Sequence, residues 1–382
     1  MMKPRICIVA SDIWPVLADD RSLTVVGGME VQLGILARAF VQAGFRVSVV
    51  TKDFGQADET VVDGITVYRS HKPTGGLPVL RFFHPRLTSW WRALKRADAD
   101  IYLQRSADFL TGVTGLFARL HGRRFIYSGA SDLDFKRDET WKLFRRRMGR
   151  RDQWLYEVGL RLAHGIVAQH EGQAADCAKW HGRTATRIPN CYACEPTATP
   201  QAKDLVLWVA TVKPLKRPEL FLQLALDLPQ LRFRLVGGPG KEWEYGAYES
   251  AKQAAAEMSN VEFTGFVPYA EVGTQFDQAR IFVNTSDFEG FPNTFLQAWA
   301  RGIPTVSFFD CGARLDGRPV GFVCRDLAEM RDTVRRLGED EQLWEAESRR
   351  ARTYFESNHS VGEAVQRYDH LFQSILDSKE RQ

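Results

Sequence analysis

Short β-branched runs alternate with amphipathic helical stretches along most of this chain. This alternation is typical of βαβ units, in which helices connect neighbouring strands of a parallel sheet. It predicts an α/β protein, and nothing in the chain resembles a short tandem repeat. The predicted strands of the first half are residues 5–10, 46–51, 65–69, 100–104, 124–128 and 165–169.

A second series of strands follows residues 188–201, a segment rich in Pro, Thr and Ala that we interpret as a linker. The predicted strands are residues 205–211, 232–236, 261–264, 280–284 and 304–307, with amphipathic helices over 327–377. We therefore predict two doubly wound, Rossmann-like domains, residues 1–190 and 191–355, and a C-terminal helix, residues 356–382, that packs back on the first domain. Two such domains facing each other form a cleft beyond the carboxyl ends of their strands, where ligands bind.

Composition narrows the class of protein. The 382 residues include 44% hydrophobic and 26% charged residues, so each half can bury a core, unlike a disordered chain. A net charge of +4 is too small over this length to indicate nucleic-acid binding. The six cysteines are scattered, and the N-terminus lacks an apolar signal segment, so we expect a reduced, cytoplasmic compartment. The longest strongly apolar run has eight residues, well short of the roughly 20 needed to span a bilayer.

Gly27 and Gly28 lie between the first strand and a helix predicted over residues 29–43. Two glycines let the backbone approach a ligand closely, and the positive end of a helix dipole favours a phosphate. The alternative is a simple turn followed by Glu30, which complements the dipole. The pair is not the G-x-G-x-x-G pattern of dinucleotide binding.

A cationic loop follows the strand predicted over 205–211, where Lys213, Lys216 and Arg217 precede Pro218 at a helix start. Cations at such a strand end can hold a diphosphate and stabilise it as it leaves. A solvated basic loop is the alternative.

The most specific motif is Asn284 to Ala300, in which a strand ends and a polar loop carries Glu289 and Gly290. Pro292 then starts a helix, and Gln297 follows Glu289 by eight positions. This spacing lets one carboxylate and one amide reach two parts of an extended ligand. A helix-capping Glu289 is the less favoured alternative.

These motifs occur together and in order. The chain carries Gly27-Gly28-Met29-Glu30, then Ile188-Pro189-Asn190, then the Lys213 to Lys216 loop, then Glu289-Gly290-Phe291-Pro292 with Gln297. In this succession the chain resembles the retaining glycosyltransferases of family 4, which have the two-Rossmann-domain architecture called GT-B. The resemblance extends over about residues 5–368.

The resemblance implies transfer of a sugar from a nucleotide-sugar donor with retention of anomeric configuration and without a metal or other cofactor. The first domain would be the acceptor side and the second the donor side. Lys216 and Lys213 would hold the diphosphate, Glu289 the sugar and Gln297 the ribose, while Gly28 would donate its N–H from the opposite wall. The donor-binding set implied is Gly27, Gly28, Glu30, Thr211, Arg217, Gly290, Phe291, Pro292, Asn293, Thr294 and Gln297.

Two positions depart from the family pattern. The family usually has Arg where this chain has Thr211, so the second cation must be Lys213 or Arg217, and we expect Lys213. The second glutamate of the family's Glu-x7-Glu pair is here Gln297, which keeps a carbonyl that can accept from a ribose hydroxyl.

Asp132 and Asp134 follow the strand predicted over residues 124–128. An Asp-x-Asp pair can ligate a divalent metal, but in the GT-B architecture this loop faces the acceptor. We therefore expect Asp132 to orient the acceptor hydroxyl or donor sugar, the alternatives being a metal ligand and a turn-capping aspartate.

An arginine cluster lies beside Trp141, Phe144 and Trp154, and it consists of Arg145, Arg146, Arg147, Arg150 and Arg151. It could rest on an anionic membrane surface on the inner face and present a lipid-linked acceptor, or it could be a solvated helix face. No recognition module for nucleic acid accompanies it.

Cys191 and Cys194 have redox spacing but lie in the predicted linker, so we attribute the spacing to chance. His164, His170 and His181 have no partners identifiable from the sequence.

The sequence therefore predicts a metal-independent glycosyltransferase that acts on a saccharide or lipid-linked acceptor in polysaccharide or glycoconjugate biosynthesis. Two rivals are a nucleotide-sugar epimerase on the same fold and a non-catalytic protein that binds nucleotide sugars. Thr211 and Gln297, which replace expected charged residues, motivate the second rival.

Overall fold

The computed structural model describes residues 3–18, 27–72, 82–138, 148–193, 204–240, 244–287, 289 and 291–380. The chain divides into two compact units. Unit 1 comprises residues 1–191 together with 361–382, and unit 2 comprises residues 192–360. The C-terminal segment thus belongs with the N-terminal half of the chain.

Unit 1 is built on an eight-stranded sheet with the order β3-β4-β2-β1-β5-β6-β7-β8. All neighbouring strands pair in parallel except β3 and β4. The strands are β1 (Arg5–Val9), β2 (Arg46–Thr51), β3 (Glu59–Val62), β4 (Ile65–Arg69), β5 (Ile101–Arg105), β6 (Arg124–Ser128), β7 (Gly165–Ala168) and β8 (Thr186–Arg187). The helices are α1 (Trp14–Leu17), α2 (Gly28–Gln42), α3 (Thr88–Ala97), α4 (Phe109–Leu120), α5 (Arg150–Leu162), α6 (Glu171–His181) and α13 (Val361–Glu380).

Unit 2 is built on a six-stranded parallel sheet with the order β11-β10-β9-β12-β13-β16. The strands are β9 (Leu205–Val209), β10 (Arg232–Val236), β11 (Val261–Gly265), β12 (Ile281–Asn284), β13 (Thr305–Ser307) and β16 (Phe322–Val323), and a small hairpin adds β14 (Arg314–Leu315) and β15 (Arg318–Pro319). The helices are α7 (Pro218–Asp227), α8 (Tyr245–Ala256), α9 (Tyr269–Asp277), α10 (Asn293–Ala300), α11 (Leu327–Glu339) and α12 (Glu341–Asn358). The α/β class and the two parallel sheets that the sequence predicts are confirmed.

The first long helix, α2, is amphipathic, and its apolar side packs on the sheet of unit 1. Leu33, Leu36, Ala37 and Phe40 are buried on that side against the sheet of unit 1. Gly44, with φ of 84°, adopts the left-handed conformation that follows the helix end.

The last helix, α13, packs within unit 1 through an aromatic cluster. Phe372 lies edge-on to Phe40 at 5.6 Å and to Phe45 at 5.8 Å, and Tyr368 lies 5.5 Å from Phe40. Edge-to-face aromatic pairs add to the stabilisation from burial. The end of the chain is therefore part of the core of unit 1.

Residues 188–191, which the sequence analysis assigns to a linker, instead pack within unit 1. Ile188 is buried, and Asn190 accepts a hydrogen bond from Arg105. The side-chain amide of Gln32 bonds both the N–H and the carbonyl of Cys191. These long-range contacts have no local sequence signal. Residue 192 of the predicted linker begins unit 2, and positions 194–201 lie outside the described residues.

The structure adds two hairpins that the sequence analysis misses, β14–β15 in unit 2 and β3–β4 in unit 1. Strands β3 and β4 pair in antiparallel register around Asp63 and Gly64, both with positive φ. Two central residues with positive φ form the turn that suits a two-residue hairpin, and Asp-Gly is its usual sequence. The dipeptide Asp63-Gly64 is therefore the sequence feature that indicates this hairpin.

No helix among the described residues is both long and apolar enough to cross a membrane.

His164 provides a test of how pH affects the stability of unit 1. Burial lowers its pKa to about 4, and its Nδ1 accepts the N–H of Phe125 at 3.1 Å. The ring is protonated in the unfolded chain below about pH 6.5 but not in the folded chain until about pH 4. Stability is therefore complete above pH 6.5 and is lost as pH falls from 6.5 to 4.

Melting temperature should drop between pH 7.5 and pH 5 as His164 opposes folding at low pH. In His164→Gln the side-chain oxygen can still accept the N–H of Phe125, and we expect this drop to become smaller. After a discount for solvent screening of the half-buried ring, the expected difference is about 1 kcal/mol in the free energy of unfolding, or about 2–4 °C in melting temperature. Differential scanning calorimetry of the variant, with the exposed His370→Gln as control, measures it. An unchanged drop in His164→Gln would contradict the assignment.

Candidate functional site

The strongest cluster of predicted site residues in unit 2 lies at the carboxyl ends of β9 and β12, which are neighbours in the sheet. The ammonium of Lys216 forms an ion pair with Oε1 of Glu289. The same oxygen accepts from the hydroxyl of Ser286 at 2.8 Å and from the amide of Asn284 at 3.4 Å. Both charged side chains are less than one-fifth exposed. The structure thus brings together a cation and a carboxylate that are 73 positions apart in sequence.

The buried hydroxyl of Thr285 links the loop after β12 to the cationic loop after β9. The hydroxyl of Thr285 accepts from Nε1 of Trp208 at 3.0 Å and donates to the carbonyl of Lys216 at 2.8 Å. The N–H of Asp287 bonds the carbonyl of Leu215 at 3.1 Å. Because the backbone of the cationic loop is held from β12, the ammonium of Lys216 has a defined position.

The other predicted cations differ in their contacts. Arg217 is paired with Glu219 and Asp287 at the surface, which raises the pKa of its guanidinium. The carbonyl of the half-buried Lys213 accepts the N–H of Lys216, but its ammonium has no hydrogen-bond or ion-pair partner among the described residues. Lys213 is therefore the cation that is available beside Lys216, while the exposed Thr211 precedes it in the loop.

A glycine-rich turn after β10 lies beside the same loop and was missed by the sequence analysis. A Cβ on Gly237 would lie 1.8 Å from the carbonyl oxygen of Ala210, so only glycine fits there. The N–H of Val212 bonds the carbonyl of Gly238 at 2.9 Å. The signal was the run Gly237-Gly238-Pro239-Gly240 directly after a strand.

Helix α10 carries the remaining predicted residues of this region. Pro292 precedes the helix, Asn293 begins it, and Thr294 is half-buried. Gln297 is 4% exposed, and its backbone carbonyl accepts from Arg301. Phe291 stacks on His359 with ring centroids 5.0 Å apart, which gives it a packing contact in unit 2. Gly290 lies outside the described residues.

In unit 1, the predicted glycines lie at the start of α2. Gly27 is the N-cap residue and Gly28 the first helical residue, and both are exposed. Glu30 is 9% exposed, and its carboxylate turns back so closely that a Cβ on Gly27 would lie 2.2 Å from Oε2. Burial raises the pKa of Glu30, and a hydrogen bond from its own N–H opposes the rise. Glu30 therefore caps its own helix.

Asp132 lies in a 3-10 turn directly after β6 and has two partners that sequence reasoning did not identify. Its Oδ1 lies 2.8 Å from Nε2 of His170 and accepts from the amide of Gln173 at 3.0 Å. Burial alone would raise the pKa of Asp132, but these hydrogen bonds outweigh it and lower the pKa. Asp134 instead is 2% exposed and accepts from the N–H groups of Ala130 and Ser131.

The contact between His170 and Asp132 leads us to propose His170 as a positioning residue. We expect His170→Ala to lower kcat/KM by about 10–100-fold if Asp132 contacts a substrate. Loss of the hydrogen bond raises the pKa of Asp132, so the acid limb of the pH–rate profile moves to higher pH. The exposed His370→Ala serves as control, and an unshifted acid limb would argue against the role.

A pocket of about 390 Å³ lies at the carboxyl edge of the sheet of unit 1. Its charged and titratable lining residues, none of which the sequence analysis proposed, include Lys52, His71, Arg86, Arg105 and Asp108. Lys52 and Asp108 lie just after β2 and β5, and Arg105 ends β5. Lys52, Arg105 and Asp108 lie at or just after strand ends, and this position is the sequence feature that could have marked them as candidate site residues.

Burial controls the ionisation of two of these groups. It lowers the pKa of His71 to about 4, so the ring is neutral near pH 7. It raises the pKa of Asp108 to about 7, although the carboxyl accepts the N–H of Leu110 at 2.7 Å as the N-cap of α4. The pocket therefore contains groups held away from their usual ionisation behaviour, which is typical of functional sites.

The other predicted features are only partly described. Arg145, Arg146 and Arg147 lie outside the described residues, while Arg150 is exposed and Arg151 pairs with Asp152 and lies over the Phe82 ring. Burial raises the pKa of Cys191 to about 12, so its thiol is not a reactive thiolate. Across the ranges that the structure describes, no three His, Cys, Asp or Glu residues are grouped as a metal site.

Two family models match successive parts of the chain. Residues 26–195 match the model described as Glycosyltransferase Family 4, and residues 203–340 match the model described as Glycosyl transferases group 1. A curated relative, the D-inositol 3-phosphate glycosyltransferase of Mycolicibacterium paratuberculosis, is 29% identical over 124 residues. That match spans 32% of this chain and only 27% of the relative.

Solved structures resemble the chain over nearly its whole length. Sucrose-phosphate synthase from Thermosynechococcus elongatus has a TM-score of 0.75 at 16% identity, covering 98% of this chain and 100% of that structure. The Anabaena protein HepE, in complex with UDP and glucose, also has a TM-score of 0.75 at 16% identity, covering 97% and 100%. At this level of identity the likeness shows the fold.

Proposed function

We propose that this chain, which carries the two domains of a GT-B glycosyltransferase, transfers a sugar from a nucleotide-sugar donor to a saccharide or lipid-linked acceptor with retention of configuration. The observation that carries the proposal is the Lys216–Glu289 pair with Ser286 and Asn284 at the carboxyl edge of the unit 2 sheet. Ligands of open α/β sheets bind at that edge. HepE, whose fold the chain shares, binds UDP and glucose, which supports a nucleotide-sugar donor.

The charged groups of unit 2 have distinct proposed roles. Lys216 and Lys213 hold the diphosphate, because an ammonium binds phosphate oxygens as a compact point charge. Glu289 directs Lys216 through their ion pair and accepts from sugar hydroxyls when the donor binds. Gln297 accepts from the ribose. The ion pair between Lys216 and Glu289, whose residues follow neighbouring strands, supports the roles proposed for these two side chains.

The proposed reaction is a front-face displacement at the anomeric carbon. The acceptor oxygen forms its bond to this carbon on the face from which the diphosphate leaves, and the bond between the carbon and the phosphate oxygen breaks. The acceptor proton passes to the departing phosphate oxygen, which gives the glycoside and a nucleoside diphosphate. Lys216 and Lys213 stabilise the negative charge that grows on the leaving group. We propose that the two lysines supply this stabilisation without a metal ion.

Product analysis tests this function against its two rivals. The full chain is incubated with UDP-glucose, UDP-galactose, UDP-N-acetylglucosamine or GDP-mannose and a panel of saccharide acceptors, and products are followed by NMR. Release of the nucleoside diphosphate with formation of a glycoside of unchanged anomeric configuration is the expected result. An epimerised nucleotide sugar without diphosphate release would identify an epimerase, and donor binding without any turnover would identify a binding protein.

A further inference from the structure

The pocket of unit 1 contains three cationic side chains, Lys52, Arg86 and Arg105. Its volume of about 390 Å³ is within the range of sites for small molecules. Unlike most charged side chains, the two arginines lack an ionic partner among the described residues. Their surroundings therefore indicate what the pocket binds.

Arg105 is 5% exposed and makes one hydrogen bond, from Nη2 to Oδ1 of Asn190 at 2.6 Å. Its Nε is buried without a partner. The guanidinium stays protonated in proteins, and its hydrogen-bond partner is a neutral amide. The carboxylates of Asp134 and Glu30 attract it electrostatically but form no ion pair with it. A buried charge without a directly paired counterion is unfavourable, and a bound anion would relieve that cost.

Arg86 reaches the same pocket from the segment Phe82–Leu87. No hydrogen bond or ion pair involves this side chain within the described residues, and its Nε is shielded from solvent without a partner. Two guanidinium groups with unused donors thus line one cavity. Planar guanidinium groups match the oxygens of phosphate and carboxylate in two-bond geometry.

The other charged groups around the pocket are already engaged. Lys52 pairs with the half-exposed Asp12 at 2.9 Å. Asp108 caps α4 and Glu30 caps α2, which uses their carboxyl groups within the fold. His71 is neutral near pH 7 and contacts Ser70 through Nδ1 at 3.4 Å. Among the described residues of the pocket, Arg86 and Arg105 are therefore the cations without an ion-pair partner.

We propose that this pocket binds the acceptor and selects a saccharide that carries a phosphate or carboxylate group, which Arg86 and Arg105 hold. The proposal rests on the proposed function for its acceptor role, while anion binding by the pocket is independent of it. Lys52 and its partner Asp12 also line the pocket, and we assign the anion contact to the two arginines.

Thermal-shift measurements on the full chain test this pocket. The ligands are glucose 6-phosphate, glucuronate, neutral methyl glucoside, inorganic phosphate and UDP at constant ionic strength. At about ten times its dissociation constant, an anionic saccharide should raise the melting temperature by about 3 °C. Methyl glucoside and inorganic phosphate should give clearly smaller shifts, and the larger of the two anionic shifts identifies phosphate or carboxylate as the preferred group.

The matched variants are Arg86→Gln in the pocket and Arg92→Gln on the exposed face of α3. Arg86→Gln should lose most of the shift with anionic saccharides and keep the shift with UDP, whereas Arg92→Gln should keep both. Because Arg86 is only half-buried, its replacement should leave the protein folded, while Arg105→Gln is a second variant for which the UDP shift reports folding.

Three results would overturn the proposal. The first is an equal shift in melting temperature with neutral and anionic saccharides, and the second is no shift with either. The third is an undiminished shift with anionic saccharides in Arg86→Gln. A shift with inorganic phosphate as large as that with glucose 6-phosphate would reduce the pocket to a free-anion site and would also overturn it. If anionic saccharides shift the melting temperature and UDP does not, the pocket proposal stands and the proposed function fails.

Discussion

Replacing Lys216 by alanine should lower kcat by about 10²–10³-fold, the loss expected when one group that stabilises a leaving charge is removed. Lys216 is 16% exposed and paired with Glu289, and Thr285 fixes its backbone. These contacts hold the ammonium at the carboxyl edge of the sheet, where we propose that the leaving charge develops. Steady-state kinetics with the donor identified by product analysis measures the effect.

The matched control for this variant is Lys252→Ala, which removes an exposed lysine on α8 of the same unit. The control should retain wild-type turnover and melting temperature. Lys216→Ala should remain folded, because Glu289 keeps its hydrogen bonds from Ser286 and Asn284. Turnover within a few-fold of wild type in folded Lys216→Ala would remove Lys216 from the proposed role.

Replacing Glu289 by glutamine should lower kcat by about 10²-fold, because the amide keeps the size of the side chain but loses the ion pair with Lys216. The contacts to Ser286 and Asn284 can persist, since the amide oxygen still accepts. The exposed Glu219→Gln, which loses a surface pair with Arg217, is the control and should keep wild-type turnover.

A double-mutant cycle separates two roles of Glu289. If Glu289 acts only by directing Lys216, adding Glu289→Gln to Lys216→Ala should cost almost nothing further. If Glu289 also contacts the sugar, the double variant should lose additional activity and show a raised KM for the donor. Full additivity of the two single effects would mean that the observed ion pair has no catalytic consequence.

Eleven strands of the two sheets could be predicted to within two residues because their apolar β-branched runs are bounded by turn residues, whereas β3, β8 and β16 were not predicted. The run over residues 232–236, for example, is β10 without change. The β3–β4 hairpin was missed because its first strand, Glu59–Val62, is short and largely exposed, which leaves its apolar pattern weak.

The contacts between residues distant in the chain could not be predicted from the sequence. Lys216 and Glu289 lie close together because their loops follow strands that are neighbours in the sheet, and that strand order is known only from the structure. His170 and Asp132 also follow neighbouring strands, but nothing local indicates that the imidazole points toward the carboxylate. Arg86 lies in the irregular helical segment Phe82–Leu87, and nothing local in the sequence indicates that its side chain lines the pocket.

The central claim is that unit 2 binds the diphosphate of a nucleotide sugar through Lys216. Calorimetric titration of wild type and Lys216→Ala with UDP, GDP and ADP tests it most directly. We expect one nucleoside diphosphate to bind to wild type, with affinity at least about tenfold weaker in Lys216→Ala and unchanged in Lys252→Ala. Absence of binding by all three diphosphates, or equal affinity in wild type and Lys216→Ala, would contradict the claim.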